Sequence, residues 1–151
     1  MSKHVLIVDD DTLLCRSLAF NLQKAGYSTT PIDPDLEGTI IYESDQPTIG
    51  IWIMPNNEIP GMLEHFCRFL VPTDDCLWEH AESIVRKVMQ VECRFPDPHV
   101  MKAQMHSWLA WQNEPGKPLG QAITKKFLDA QAPYALQFVA WIRRLYGLNN
   151  E

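Results

Sequence analysis

The sequence lacks the patterns that mark membrane-spanning and exported proteins. No apolar run approaches the ~18 residues that a transmembrane helix requires. The first residues, Met-Ser-Lys-His, lead directly into a short apolar segment and not into the hydrophobic region of a signal peptide. We therefore expect a soluble cytoplasmic protein that does not contact a membrane.

Cysteine patterns typical of zinc sites and disulfide frameworks are also missing. The four cysteines, at positions 15, 67, 76 and 93, form no CxxC pair and show no ligand-like spacing with the five histidines. A structural zinc site or a set of disulfides therefore has little support. Reduced thiols are expected, in agreement with a cytoplasmic location.

Positive charge is scarce, and no block of Lys and Arg is present. The chain has 13 basic against 19 acidic residues, a formal net charge of -6. Nonspecific binding to a nucleic-acid backbone depends on such a block, so we expect no nucleic-acid partner for the isolated chain, unless a basic patch forms in three dimensions. The absence of GxSxG and HExxH motifs leaves nucleophilic catalysis without support.

The apolar content is sufficient for one folded domain. Of the 151 residues, 46% are hydrophobic and 21% are charged, which is typical of a globular protein. No repeat, low-complexity tract or flexible linker interrupts the chain. We therefore predict a single domain over residues 1–151, with a strand-rich portion at 1–55 and a helical portion at 56–151.

An apolar segment followed by three acidic residues opens the chain. The sequence His-Val-Leu-Ile-Val at 4–8 predicts a buried parallel strand, and Asp9, Asp10 and Asp11 follow at its C-terminal end. Because side chains alternate along a strand, Asp9 and Asp11 would point to one side, at a spacing that suits Mg²⁺. The alternative is ordinary turn chemistry, with Asp11 as the N-cap of the next helix, and both roles are compatible.

The remaining elements follow from apolar periodicity and from start and stop signals. We predict helices at 12–25, 62–71, 76–91, 99–112, 120–129 and 133–146. For the helix at 76–91, Asp74 and Asp75 are the start signal, and the predicted inward stripe is Leu77, Ala81, Ile84, Val85 and Val88. Further strands are predicted at 27–32, 38–43 and 48–54, the last two as an antiparallel hairpin whose second strand is apolar on both faces and therefore interior. Together these elements predict an α/β fold, in which a small mixed sheet of three to four strands packs with about six helices and the C-terminal half is all helical.

The predicted sheet has few strands in comparison with the number of predicted helices. One edge or face of it would need a cover that this chain does not supply. The candidate partners are a second copy of the chain, which would make a homodimer, or a separately encoded protein that covers the exposed sheet.

A polar loop follows the predicted interior strand. Asn56, Asn57 and Glu58 would lie near Asp9 and Asp11 if the two strands are neighbours. Amide and carboxylate oxygens could then contribute to a metal or phosphate site. The simpler interpretation, which we favour here, is a turn built from turn-forming residues.

Two further features have weaker functional interpretations. The loop at 114–121, which contains Gly-Lys-Pro-Leu-Gly, lacks P-loop spacing and is interpreted as a turn with a weak capacity for anions. Trp108, Trp111 and Trp141 could stack on bases, but without neighbouring basic residues they are better explained as core and inter-helix packing.

The N-terminal segment HVLIVDDDTLLCRSLAFNLQKAGYSTT resembles a response-regulator receiver. The segment IWIMPNNEIPGM is similar to the third strand of receivers. In that family a phosphoacceptor Asp stands four residues before the proline of the Met-Pro pair, where this chain has Ile51. A hydrocarbon side chain cannot accept a phosphoryl group, so this resemblance implies at most a degenerate receiver-like interaction module.

A second resemblance covers nearly the whole chain. The blocks PDLEGTII, IGIWIMPNNEIPGMLEHF, LVPTDDCLWEHAE and KAQMHSWLAWQNEPGKPLGQAITKKFLDAQAP are similar to an uncharacterised bacterial family, a domain of unknown function related to Toprim domains. In that family a strand ending in Asp-x-Asp precedes a helix ending in Ala-Gly-Tyr, which matches Asp9 and Asp11. The loop that reads Met-Pro-Asp-Asn in relatives has Asn56 in place of the aspartate.

The Toprim resemblance implies a metal-dependent phosphodiester site that is incomplete here. Toprim domains combine an Asp-x-Asp strand for Mg²⁺ with a catalytic Glu on an earlier strand, and this chain is expected to lack the part that bears that Glu. The resemblance therefore implies a Toprim-like protein without independent catalysis, with a weak Mg²⁺ site at Asp9 and Asp11. The alternative is a metal-dependent nuclease or other phosphodiester-processing enzyme, in which Glu58 or Glu64 replaces the missing Glu.

Overall fold

A computed structural model describes residues 4–9, 12–26, 35–42 and 44–148. The chain divides into two compact units. We call the part up to Phe66 together with the part from Pro133 onward the sheet unit, and Cys67–Ala132 the helical unit. The single domain expected from the sequence stays a prediction. The predicted strand at 27–32 lies outside the described residues, as do Asp10 and Asp11.

The sheet unit contains a mixed sheet of three strands in the described part of the chain. These are β1 (His4–Asp9), β2 (Thr39–Ile41) and β3 (Thr48–Ile53), in the order β1-β3-β2. β1 pairs with β3 in parallel, and β2 pairs with β3 in the antiparallel direction. The α/β class, the small mixed sheet and the hairpin are therefore confirmed.

The central strand β3 is covered on both faces. On one face Ile49, Ile51 and Ile53 form an apolar cluster with Ile41, against which Leu22 of α1 (Thr12–Lys24) packs. The predicted helix at 12–25 thus lies against the sheet, and Gly26 follows it with a φ of +92°. Burial of consecutive β3 residues confirms that this strand is interior.

An aromatic cluster covers the other face of β3. Trp52 lies 5.3 Å from Trp141 and 5.1 Å from Phe138 between ring centroids, and the last two belong to α5 (Pro133–Tyr146). The indole N–H of Trp141 donates to the carbonyl of Thr39 at 3.3 Å. Because Trp52 and Trp141 are fully buried, this cluster is the main apolar core on the α5 side of the sheet.

The helical unit is built around α3 (Cys76–Val91) and α4 (Val100–Leu109). α2 (Leu63–Phe69) contains the last residues of the sheet unit and the first residues of the helical unit. Short 3₁₀ turns lie at Asp97–His99 and Leu119–Gln121. None of the helices in the described ranges is long and apolar enough to cross a membrane.

The start of α3 confirms a sequence signal. Asp75 is the N-cap, and its Oδ1 accepts a hydrogen bond from the N–H of Leu77 at 2.9 Å. Its Oδ2 accepts another from the indole N–H of Trp108 at 3.0 Å. Asp75 thus caps α3 and also accepts the hydrogen bond of the indole N–H of Trp108, a fully buried residue of α4.

Two details of the helical unit differ from the sequence prediction. The predicted helix at 120–129 is wrong, because only the 3₁₀ turn Leu119–Gln121 forms and turns follow it. The inward face of α3 consists of Trp78, Ala81 and Val85. Ile84 and Val88, which the periodicity placed inward, are each 44% exposed.

Candidate functional site

The C-terminal ends of β1 and β3 lie at the same edge of the sheet. The parallel register pairs Asp9 with Ile53, so the last residue of each strand is opposite the other. The loop that begins at Met54 leaves from this edge. The two strands are therefore neighbours, which is the condition under which the sequence places the polar loop near Asp9. This edge is where α/β sheets commonly place their ligands.

The loop after β3 is held in shape by Asn57. Its Oδ1 accepts a hydrogen bond from the N–H of Ile53 at 2.7 Å, and its Nδ2 donates to the carbonyl of Leu36 at 3.3 Å. Asn57 has a φ of +63°, a region that Asn tolerates better than most residues, and its side chain is buried. Both ends of the amide are thus used to join the loop to neighbouring backbone.

Asn56 has a similar role within the loop. Its Oδ1 accepts from the N–H groups of Glu58 at 3.4 Å and Ile59 at 3.2 Å, and its Nδ2 donates to Glu58 Oε2 at 3.5 Å. The peptide bond between Met54 and Pro55 is cis. These contacts support the turn interpretation of the two asparagines, because their side-chain amides already form hydrogen bonds with backbone groups in and next to the loop.

We predict that Asn57→Ala will lower the free energy of unfolding by about 2–4 kcal/mol. The substitution leaves the buried N–H of Ile53 and the carbonyl of Leu36 without these partners, and it puts alanine at a positive φ. Urea unfolding followed by circular dichroism measures the loss. The matched control is Asp45→Ala, which removes an exposed side chain at the same φ of +63°. A loss no larger than that of Asp45→Ala would contradict the prediction.

The two glutamates suggested by the sequence lie in different environments. Glu58 is exposed in the loop, whereas Glu64 is buried in the first turn of α2. His65, which no sequence motif marks, lies next to the loop. Its Nδ1 accepts a hydrogen bond from the N–H of Met62 at 3.1 Å. A Cβ at Gly61 would be 2.9 Å from the His65 ring, so this glycine allows the ring to approach the loop.

No group of three or more His, Cys, Asp or Glu side chains that could hold a metal ion is found among the described residues. The predicted metal ligand Asp11 lies outside them, and for Asp9 the structure places the backbone at the strand end. The Mg²⁺ site at Asp9 and Asp11 therefore stays a prediction.

The loop at 114–121 is held by an ion-pair network. Glu114 accepts from Lys125 Nζ at 2.6 Å and pairs with Lys117 Nζ at 3.2 Å. The hydrogen bond from Lys125, followed by that from Lys117, lowers the pKa of the Glu114 carboxyl. The loop opens only the three-residue turn Leu119–Gln121, which is too short to provide the dipole of a regular helix for an anion.

Comparison with known proteins identifies a family. The model of a family described as "Protein of unknown function (DUF3226)" matches residues 3–147. The chain belongs to this family. The DUF3226 match extends from β1 to the end of α5, and it confirms the prediction of an uncharacterised domain of unknown function. No curated protein and no solved structure matches the chain.

Proposed function

We propose that this DUF3226 protein is a Toprim-like module that binds Mg²⁺ weakly through Asp9 and Asp11 and has no independent catalytic activity. The observation that supports the proposal is the register of β1 with β3, which pairs Asp9 with Ile53 at the edge where α/β sheets commonly place their ligands. An acidic strand end beside a structured polar loop is the arrangement that a hard cation favours.

The fit to a cation depends on which oxygens are available. The amide oxygens of Asn56 and Asn57 accept hydrogen bonds from the loop backbone, so we assign them to loop shape and not to the metal. The acidic residues at the end of β1 are then the main protein ligands, and Glu58 is the exposed carboxylate of the adjacent loop. When bound, Mg²⁺ would supply positive charge against phosphate oxygens. With few protein ligands, we expect a dissociation constant on the order of 1 mM.

Isothermal titration calorimetry with Mg²⁺ and Mn²⁺ tests the metal claim. We expect saturable heat in the wild type, and at least tenfold weaker binding in Asp9→Asn and in Asp11→Asn, because each carboxylate contributes charge that an amide lacks. Asp35→Asn, an exposed substitution in the same unit, is the matched control and should bind like the wild type. Heat no larger than dilution, or equal heat in all variants, would overturn the proposal.

The nuclease alternative differs from this proposal in its prediction for DNA. Phosphodiester cleavage needs an acid or base group beside the cation, and Glu64, buried near the start of α2, is the candidate that favours it. We expect no metal-dependent nicking of supercoiled plasmid by the isolated chain. Nicking that requires a divalent cation and disappears in Asp9→Asn and in Glu64→Gln would contradict our proposal and would support a metal-dependent nuclease.

The degenerate receiver is disfavoured by the environment of Ile51. This side chain is 1% exposed and belongs to the apolar cluster on β3, opposite Ile7 of β1 in the register. A receiver needs a carboxylate held for in-line attack at this position. The observed packing supports an apolar core role and offers no group for phosphoryl transfer.

We also propose that a partner covers the edge of the sheet. Within the described residues β1 is an end strand that pairs with β3 alone, and edge strands expose unpaired N–H and C=O groups. A second copy or a separately encoded chain could pair with this edge. Sedimentation equilibrium should reveal self-association at high protein concentration, or a complex once the second protein is added. A strictly monomeric protein that binds no such chain would contradict this proposal.

A further inference from the structure

The helical unit contains an open cavity where α2 ends and α3 begins. Its volume is about 430 Å³, within the range of small-molecule sites, and Arg68, Thr73, Trp78 and Glu79 contribute to its lining. The cavity is separate in sequence from the strand ends discussed above. It therefore raises a question of ligand binding that the proposed function does not address.

One wall of the cavity carries a positioned guanidinium group. The Cζ of Arg68 lies 4.6 Å from the centroid of the Trp78 ring, a cation–π arrangement. The Trp78 ring is itself 2% exposed, and its N–H donates to Glu82 Oε1 at 2.8 Å. In the described part of the chain the guanidinium has no hydrogen-bond or ion-pair partner. Its planar set of donors is thus oriented and unused.

A carboxylate of opposite charge lines the same cavity. Glu79 is exposed in the first turn of α3, and across the described ranges it forms neither a hydrogen bond nor an ion pair, even with Arg68. Asp75 also lines the cavity, but both of its oxygens accept hydrogen bonds, from Leu77 and from Trp108. The cavity therefore has one unpaired cation and one unpaired anion that do not neutralise each other.

We infer that this cavity binds a small zwitterion, with its carboxylate on Arg68 and its ammonium group on Glu79. An Arg fork binds a carboxylate through two parallel hydrogen bonds. A phosphate dianion fits less well, because the one positive charge of Arg68 is opposed by the two negative charges of Asp75 and Glu79. A simple cation would leave the Arg68 donors unused. The class that satisfies both groups is a free amino acid or a short peptide with free ends.

The test is a calorimetric titration of the full chain with three zwitterions of increasing charge separation: glycine, β-alanine and glycylglycine. N-acetylglycine and glycinamide are the matched probes that each lack one charge. We expect at least one zwitterion to bind saturably below about 10 mM, and both blocked probes to bind at least about tenfold more weakly. Absence of saturable heat for all three zwitterions, or equal binding of the blocked probes, would overturn the inference.

Two substitutions assign the binding to this cavity. Arg68→Met keeps an unbranched side chain over Trp78 but removes the donors, and Glu79→Gln removes the negative charge of an exposed side chain. Each substitution should weaken the binding of the zwitterion about tenfold or more. Arg94→Met and Glu92→Gln alter the exposed ion pair at the other end of α3 and should leave binding unchanged. Equal binding in all four variants would contradict the site.

Discussion

Gly38→Ala will lower the free energy of unfolding of the sheet unit by about 2–5 kcal/mol, for two independent reasons. Gly38 has a φ of +83°, where a residue with a Cβ is strained. A Cβ there would also lie 2.5 Å from Cδ1 and 2.8 Å from Cγ of the Trp141 ring. The ring is fully buried and packed against Trp52, so it cannot move away without disturbing the core.

Two other glycines of the sheet unit separate these effects. Gly147 has a φ of +65° and open space around it, so Gly147→Ala should cost only the backbone strain, about 1 kcal/mol. Gly50 lies in β3 without a positive φ, but its Cβ would be 2.4 Å from Leu145 Cδ2 and 3.1 Å from Trp141 Cζ2. Gly50→Ala therefore measures overpacking alone. Urea unfolding followed by circular dichroism measures the loss in free energy of unfolding for each variant. A loss for Gly38→Ala that is no larger than the loss for Gly147→Ala would contradict this account.

Trp141→Ala is expected to cost about 3–5 kcal/mol, the range for deleting a large buried aromatic side chain. The indole is 0% exposed, and the substitution removes its contacts with Trp52 and Phe138. It also removes the N–H that donates to the carbonyl of Thr39. Because total stabilities are about 5–15 kcal/mol, a large shift of the urea midpoint should result.

The control for Trp141 is the same substitution at a partly exposed tryptophan. Trp111 is 38% exposed, so Trp111→Ala should cost clearly less. A double mutant adds a sharper test. In the Trp141→Ala background the ring that opposes a Cβ at Gly38 is gone, so Gly38→Ala should cost only its backbone strain. Strictly additive losses would show that the close approach of Gly38 to Trp141 does not limit stability.

Local patterns were sufficient to predict the sheet and most helices. Alternation of apolar and polar residues does not identify a strand that is buried on both faces. The continuous apolar run of β3 nevertheless predicts an interior strand, and the structure confirms this prediction. The signal of Asp75 for the start of α3 was reliable because capping depends on residues two or three positions away. Such features are encoded within a few residues and need no knowledge of the tertiary fold.

Long-range contacts explain where the sequence prediction failed. The segment after Leu119–Gln121 contains helix-compatible residues, but Lys126 has a φ of +60°, and the N–H of Asp129 donates to the carbonyl of Leu70 at 2.7 Å. This tertiary hydrogen bond and the buried Phe127 favour turns over a helix.

Part of the candidate site was likewise hidden from sequence reasoning. The pattern identified Asn57 as a polar loop residue, but its role depends on the carbonyl of Leu36, which is distant in sequence. The position of His65 beside the loop depends on its hydrogen bond with Met62 and on its close approach to Gly61. No motif links these residues in advance.

The central claim is that the ends of β1 and β3 form one cation-binding edge. Titration of ¹⁵N-labelled protein with Mn²⁺ tests it most directly, because the paramagnetic ion broadens amide signals in its neighbourhood. The account predicts saturable broadening centred on residues 9–11 and on the loop at 54–58, displaced by excess Mg²⁺ and lost in the double variant Asp9→Asn/Asp11→Asn. Broadening confined to other acidic residues, or persisting unchanged in that variant, would contradict it.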